Sequence, residues 1–156
     1  MSGSKGAAPV AAGTGGSVGF SVHATIERPI EEVFDHVVEP GLLSSYFTAT
    51  ASEALAPGQS IRWTWKGGQA ETVHVDEVER NARIVLHWKA DQVEYDTRVT
   101  LTFTAESPAK TKVEIAETGW KNDAAGLASA FGHCSGWQHM LLSLRARMMF
   151  GVDLRG

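Results

Sequence analysis

Hydrophobic and polar residues alternate from Val18 onward. Val18, Phe20, Val22, Ala24 and Ile26 fall on one side of the chain and more polar residues on the other, which predicts a half-buried strand. The period then lengthens. Ile30, Val33, Phe34, Val37 and Val38 recur at helical spacing, with Pro29 suited to a helix start and Glu31 and Glu32 in the first turn, where they favour the helix dipole. Glu39-Pro40-Gly41 breaks this helix, and residues 42–47 read as a second short one. Alternation by two then returns in five successive segments: Ile61, Trp63 and Trp65; Val73 and Val75; Ile84, Leu86 and Trp88; Tyr95, Thr97, Val99, Leu101 and Phe103; and Val113 and Ile115. Gly67-Gly68, residues 80–82 and residues 106–111 supply the turns, and the slip from Val75 to Val78 predicts a bulge near Asp76–Glu77. A last helix is expected from about Asn122 to Met149, free of proline and capped by Asn122 or Asp123.

The order predicts an α+β fold: one strand, two short helices, a run of antiparallel strands and a long helix. A sheet of about six or seven strands must curl, and the long helix is the element large enough to cover its concave face. Residues 1–17 are mostly Gly, Ala and Ser, cannot bury enough apolar surface to offset ordering, and read as a flexible tail. This leaves a single domain over 18–150 and a short C-terminal tail, 151–156.

Composition narrows the partners. The chain has 156 residues, 43% of them hydrophobic and 21% charged, with a formal net charge of −4. Phosphate contacts need clustered Lys and Arg, so that balance argues against nucleic acid. No apolar run approaches a membrane span, and no secretory leader is visible. Cys134 is the only cysteine, so no intramolecular disulfide forms, which together with the missing leader implies a cytoplasmic protein.

Three segments carry a resemblance. The first is "RPIEEVFDHVVEPGLLSSYF", with its P-x-E-x-V-F helix, its acid–proline break and Tyr46 where Trp is most common. The second is "DEVERNARIVLHW", a hairpin ending at Trp88, with Arg80 and Asn81 in place of a double proline. The third is "VEIAETGW" followed by "SGWQHMLLSL". In this order the chain resembles the helix-grip fold of the SRPBCC superfamily, shared by birch-pollen-allergen-like proteins, START lipid-transfer domains and polyketide cyclases. More narrowly, it resembles homologues of the activator of the heat shock protein 90 ATPase. The resemblance implies a cavity between sheet and last helix, and it brings no fixed catalytic set and no cofactor.

The stretch "GHCSGWQHM", 132–140, holds two histidines and the cysteine. On a helical wheel Ala130, His133, Cys134, Met140, Leu141, Leu144 and Met148 lie within about 60° of Trp137, whereas His139 lies about 120° from His133. The two histidines therefore cannot chelate one ion from this helix, and no metal site is expected. Adjacent His133 and Cys134 point about 100° apart, which leaves the cysteine as an apolar filler and not a nucleophile. His133 sits on the inner stripe, either as a core histidine or as a polar anchor in an apolar pocket, with Thr97, Tyr95 and Glu117 as candidates to share that role. Gly132, Gly136, Ser129 and Ser143 form a small-residue flank that suggests close approach of a neighbouring backbone, with a dimer contact as the alternative. His74 and His87 fall on the outer face.

The function expected is binding of a small hydrophobic or amphipathic molecule, such as a lipid, polyketide or aromatic compound. Its walls would be Trp63, Trp65, Trp88, Tyr95, Thr97, Phe103, His133, Trp137, Met140 and Leu141. The alternatives are a co-chaperone-like interaction domain, with a chaperone or a second copy as partner, and a cyclase-type enzyme using His133 with Glu117 or Tyr95. A binding module is favoured over an enzyme.

Overall fold

The computed structural model describes residues 17–156, so the expected N-terminal tail lies outside the described residues up to Gly16. The elements run β1 (Val18–Ile26), α1 (Ile30–Val38), α2 (Pro40–Leu43), β2 (Thr50–Ala51), β3 (Ser60–Thr64), β4 (Ala70–Glu79), β5 (Arg83–Lys89), β6 (Asp96–Ser107), β7 (Lys110–Trp120) and α3 (Ala124–Phe150). The seven strands form one sheet in the order β1-β7-β6-β5-β4-β3-β2, and every neighbouring pair is antiparallel. This is the α+β helix-grip architecture: β2 to β7 form a meander, and β1 closes against β7.

The alternating positions explain the core. Ile61, Trp63, Val73, Val75, Ile84, Leu86, Val99, Leu101, Phe103, Val113 and Ile115 are all buried, and they meet the apolar stripes of α1 and α3. The β4–β5 register slips between Val75 and Glu77, so the expected bulge falls at Asp76. Gly68, with φ 92°, closes the β3–β4 turn, where Gly68 N–H donates to the Trp65 carbonyl at 2.9 Å.

Two details differ from the sequence reading. The second short helix begins at Pro40, not Leu42, and residues 44–47 are hydrogen-bonded turns. Proline at the first helical position loses only an N–H that would have no partner there, and the Glu39 carbonyl still accepts from Leu43 N–H at 2.9 Å. The break between the helices is Glu39 alone. Strand β2 has two residues, too few for any period to show, and pairs with Trp63 and Thr64.

Helix α3 starts where the Asp123 carboxylate accepts from Gly126 N–H at 2.7 Å and ends at Gly151 with φ 68°. The segment after it is tied down. Arg155 donates to the carbonyls of Thr48 (2.8 Å) and Ser44 (3.0 Å), beside α2. No helix among the described residues is long and apolar enough to cross a membrane.

Candidate ligand cleft

Strand β7 alternates Val113, Ile115, Glu117 on its inner face, so the pattern that fills the core also buries a carboxylate. Glu117 is fully buried. A buried acid must be paired or hydrogen-bonded, because removing a charge from water is costly. Four side chains meet that demand. Trp88 Nε1 and Thr97 Oγ1 donate to Oε2 at 3.0 and 2.6 Å, and Trp137 Nε1 donates to Oε1 at 2.7 Å. The fourth, His133 Nδ1, stands 2.9 and 3.0 Å from the two oxygens. One carboxylate therefore ties together β5, β6, β7 and α3.

The other ring nitrogen fixes the tautomer. Asp91 N–H donates to His133 Nε2 at 3.2 Å, which makes Nε2 an acceptor and leaves the proton on Nδ1, facing Glu117. The imidazole is also packed edge-on against Trp88 (5.6 Å) and Trp120 (5.2 Å).

Above this network lies a cleft. Its centre, about 220 Å³, is walled by Phe47, Trp65, Trp88 and Trp137, with Gly132, Gly136 and His133 along the helix side. Phe47 stacks on Trp137 (6.1 Å, 28°) and stands edge-on to Trp65 (5.5 Å, 84°). Trp88 lies 5.5 Å from Trp137 and is held by Glu117. Two hollows adjoin the centre. One, about 230 Å³, shares Trp65, Trp88 and His133 and continues to Gln69, Glu71, Lys89 and Asp91. The other, about 450 Å³, shares Phe47, Trp65 and Gly136 and continues to Tyr46, Lys66, His139 and Arg155. The centre alone is smaller than an ordinary ligand site of about 300–1,000 Å³, and the adjoining hollows bring the cleft into that range.

The glycines depart from the sequence reading. A Cβ built on Gly132 or Gly136 meets nothing within 4 Å. No other element approaches them; both are exposed, and their missing side chains leave the helix-side edge of the cleft open.

Of the ten residues expected to line a cavity, Trp65, Trp88, His133 and Trp137 line this cleft. Trp63 stands one layer behind, 2% exposed and perpendicular to Trp65 and Trp88. Thr97 serves Glu117. Met140 and Leu141 are buried in the core cluster, and Phe103 packs edge-on against Phe34 at 5.0 Å. Tyr95 faces the other way, its hydroxyl accepting from Lys121 N–H at 2.9 Å. Phe47 was not foreseen, because it lies in a turn whose side-chain directions no period fixes.

Of the remaining chemistry-bearing residues, His139 and Tyr46 line the larger adjoining hollow and the others lie apart. His139 is exposed and Cys134 half-buried. His74 and His87 stack on the outer face at 4.8 Å, with His87 Nδ1 2.9 Å from Asp76. Among the described residues no three His, Cys, Asp or Glu side chains are placed to hold a metal ion. Burial and a hydrogen bond to the His36 carbonyl (3.0 Å) accompany the Tyr46 phenol, and burial pushes its ionisation above the ordinary tyrosine range.

Comparison with known proteins is consistent with this architecture. The family model described as activator of Hsp90 ATPase homolog 1-like protein matches residues 27–148. Nothing among curated proteins matches the sequence. Among solved structures, a protein from Staphylococcus saprophyticus is 24% identical with a TM-score of 0.75, over 89% of this chain and 97% of its own. The Aha1 dimer from Colwellia psychrerythraea, a solution structure, is 19% identical with a TM-score of 0.72, over 86% of this chain and 98% of its own. DynU16, a protein from the dynemicin biosynthetic locus, is 20% identical with a TM-score of 0.75, over 85% of this chain and 48% of its own. At these identities the likeness is one of fold.

Proposed function

This chain belongs to the family of activator of Hsp90 ATPase homolog 1-like proteins, and from that premise we propose that it binds a small hydrophobic or amphipathic molecule, with a flat aromatic body, in the cleft beside α3. The observation that carries the reading is the pair of glycines. A glycine inside a helix costs about 0.8–1 kcal/mol relative to alanine. Gly132 and Gly136 recover nothing through packing, since no atom would meet a side chain there. They keep open a slot faced by Phe47, Trp65, Trp88 and Trp137. Apolar walls with a few polar groups are the usual make-up of a ligand site. Both His133 nitrogens are taken by Glu117 and Asp91, and the polar groups here are those of the adjoining hollows, Gln69 and Lys66 among them.

The test is a titration of labelled protein with a panel of lipids, flavonoids and aromatic polyketides, read by amide and indole shifts. Binding should move the signals of Trp65, Trp88 and Gly136, and Gly136→Leu should abolish those shifts while the protein stays folded. If no ligand moves a cleft residue, the reading fails. Association with a chaperone, which the family's name raises, is examined on the same samples by pull-down and ATPase stimulation.

A second reading, self-association, rests on the outer side of α3. Phe131, Leu142 and Phe150 are 70%, 47% and 68% exposed, and Phe131 and Leu142 lie about three turns apart on the same side of the helix. The Colwellia relative is a dimer. Sedimentation velocity should give a dimer that Leu142→Ser dissociates, and a monomer at high concentration would exclude it.

A further inference from the structure

The two ends of the cleft differ in charge. The hollow toward the C-terminal segment has Lys66, His139 and Arg155 as its polar lining together with Tyr46, and no carboxylate lines it. Arg155 is immobilised: it donates to the Thr48 and Ser44 carbonyls and makes a paired contact with Asp153, 2.9 Å from Nε and 3.1 Å from Nη2. Asp153 balances one positive charge, and its carboxylate faces Lys66 as well as Arg155. Lys66 is exposed on the turn after Trp65 and takes part in none of the ion pairs among the described residues. This end therefore carries a net positive charge. The hollow at the opposite end is lined by Glu71 and Asp91 against Lys89, and the Lys89 ammonium already lies 3.6 Å from Glu94. An anion is attracted to one end and repelled from the other.

We infer that the ligand of this cleft carries an oxyanion, a carboxylate, sulfonate or phosphate, seated between Lys66 and the fixed guanidinium of Arg155, with its aromatic or apolar body lying across Trp65. The inference rests on the ligand-binding reading above and gives that ligand a chemical class and an orientation. Four of the five Arg155 N–H groups are taken by Asp153, Thr48 and Ser44, so the guanidinium offers an oxyanion its remaining Nη1–H and a fixed charge, and little side-chain freedom remains to be lost on binding. Trp65 is the hinge of the arrangement, because it lines the central hollow and both ends.

The probes are anilinonaphthalene sulfonate and N-phenylnaphthylamine, which share one fluorophore and differ by the sulfonate. Fluorescence titrations are run on the parent protein and on Lys66→Gln, Lys66→Glu and Gly136→Leu, with thermal melts to confirm folding. The sulfonate should bind more tightly than the uncharged probe. Lys66→Glu should weaken the sulfonate on the order of tenfold and leave the uncharged probe unchanged, with Lys66→Gln between. Added salt should weaken only the sulfonate. If both probes bind equally and Lys66 variants do not separate them, the oxyanion inference is overturned while the cleft reading stands. If neither probe binds, or if Gly136→Leu displaces neither, the cleft reading falls and takes this inference with it.

Discussion

His133 Nδ1 lies 2.9 Å from Oε2 of Glu117, joining the middle of the long helix to an inner position of the last strand. The contact is one of four that converge on a fully buried carboxylate, and two of the others come from indoles that also wall the cleft. Core stability and cleft geometry therefore share one residue. Glu117→Ala would leave two buried indole N–H groups without an acceptor and loosen the hold on α3. The expected loss is about 3–5 kcal/mol, read by urea denaturation with tryptophan fluorescence. Glu117→Gln should cost less, because the amide keeps one acceptor oxygen. A Glu117→Ala protein as stable as its parent would remove Glu117 from this role.

Gly136 separates folding from binding. It lies inside α3, and a Cβ there enters open space. Gly136→Ala should raise stability by about 0.5–1 kcal/mol, the usual helix-interior difference. Leucine at the same position should be no less stable than glycine yet fill the slot. Thermal melts and probe titrations on the two variants measure these effects side by side. Destabilisation by alanine would mean that the position packs against something after all.

Much of the fold could be read from the chain because burial in a sheet repeats every two residues and burial on a helix every three to four. Ile84, Leu86 and Trp88, or Trp137, Met140, Leu141 and Leu144, declare their faces without help. Three things did not follow from period. Trp88 and Trp137 read as apolar walls, but their indole N–H groups serve a carboxylate on another strand, and only the assembled sheet brings those atoms together. Gly132 and Gly136 share one flank of the wheel, which gives a direction but not whether a neighbour stands there. Phe47 and Arg155 come from segments without a repeat. Glu117, Thr97 and His133 were legible as inward polar residues; the β5–β6–β7 register brings Thr97 to Glu117, and the packing of α3 on the sheet brings His133. Tyr95, grouped with them by alternation, lies just before the start of β6 and turns toward Lys121 instead.

Asp153 provides an acid-dependent contact. Hydrogen bonds from Arg155 hold its carboxyl below the ordinary 3.8, at about 2. A depressed carboxyl binds its proton more readily in the unfolded chain, so it contributes stability above about pH 4 that is lost as the pH falls toward 2. Asp153→Asn should remove that contribution. The stability gap between parent and variant should be constant from pH 5 to 7 and narrow between about pH 4 and 2, as followed by denaturation at each pH. A gap independent of pH over that interval would show that the Asp153–Arg155 contact does not form in solution.

Tyr46 gives the opposite limb. Its side chain is 1% exposed, its hydroxyl donates to the His36 carbonyl at 3.0 Å, and burial holds the phenol neutral beyond its ordinary range. Above about pH 10 the unfolded chain releases the tyrosine proton while the folded chain keeps it, so the unfolded state binds fewer protons and stability falls as pH rises. Tyr46→Phe removes both the hydrogen bond and the titration. At pH 7 the variant should be less stable by about 1 kcal/mol, leaving the His36 carbonyl without that donor. Above pH 10 its stability should fall less steeply than that of the parent, so the two curves converge. Parallel curves through pH 11 would mean that the phenol reaches solvent and ionises within the folded protein.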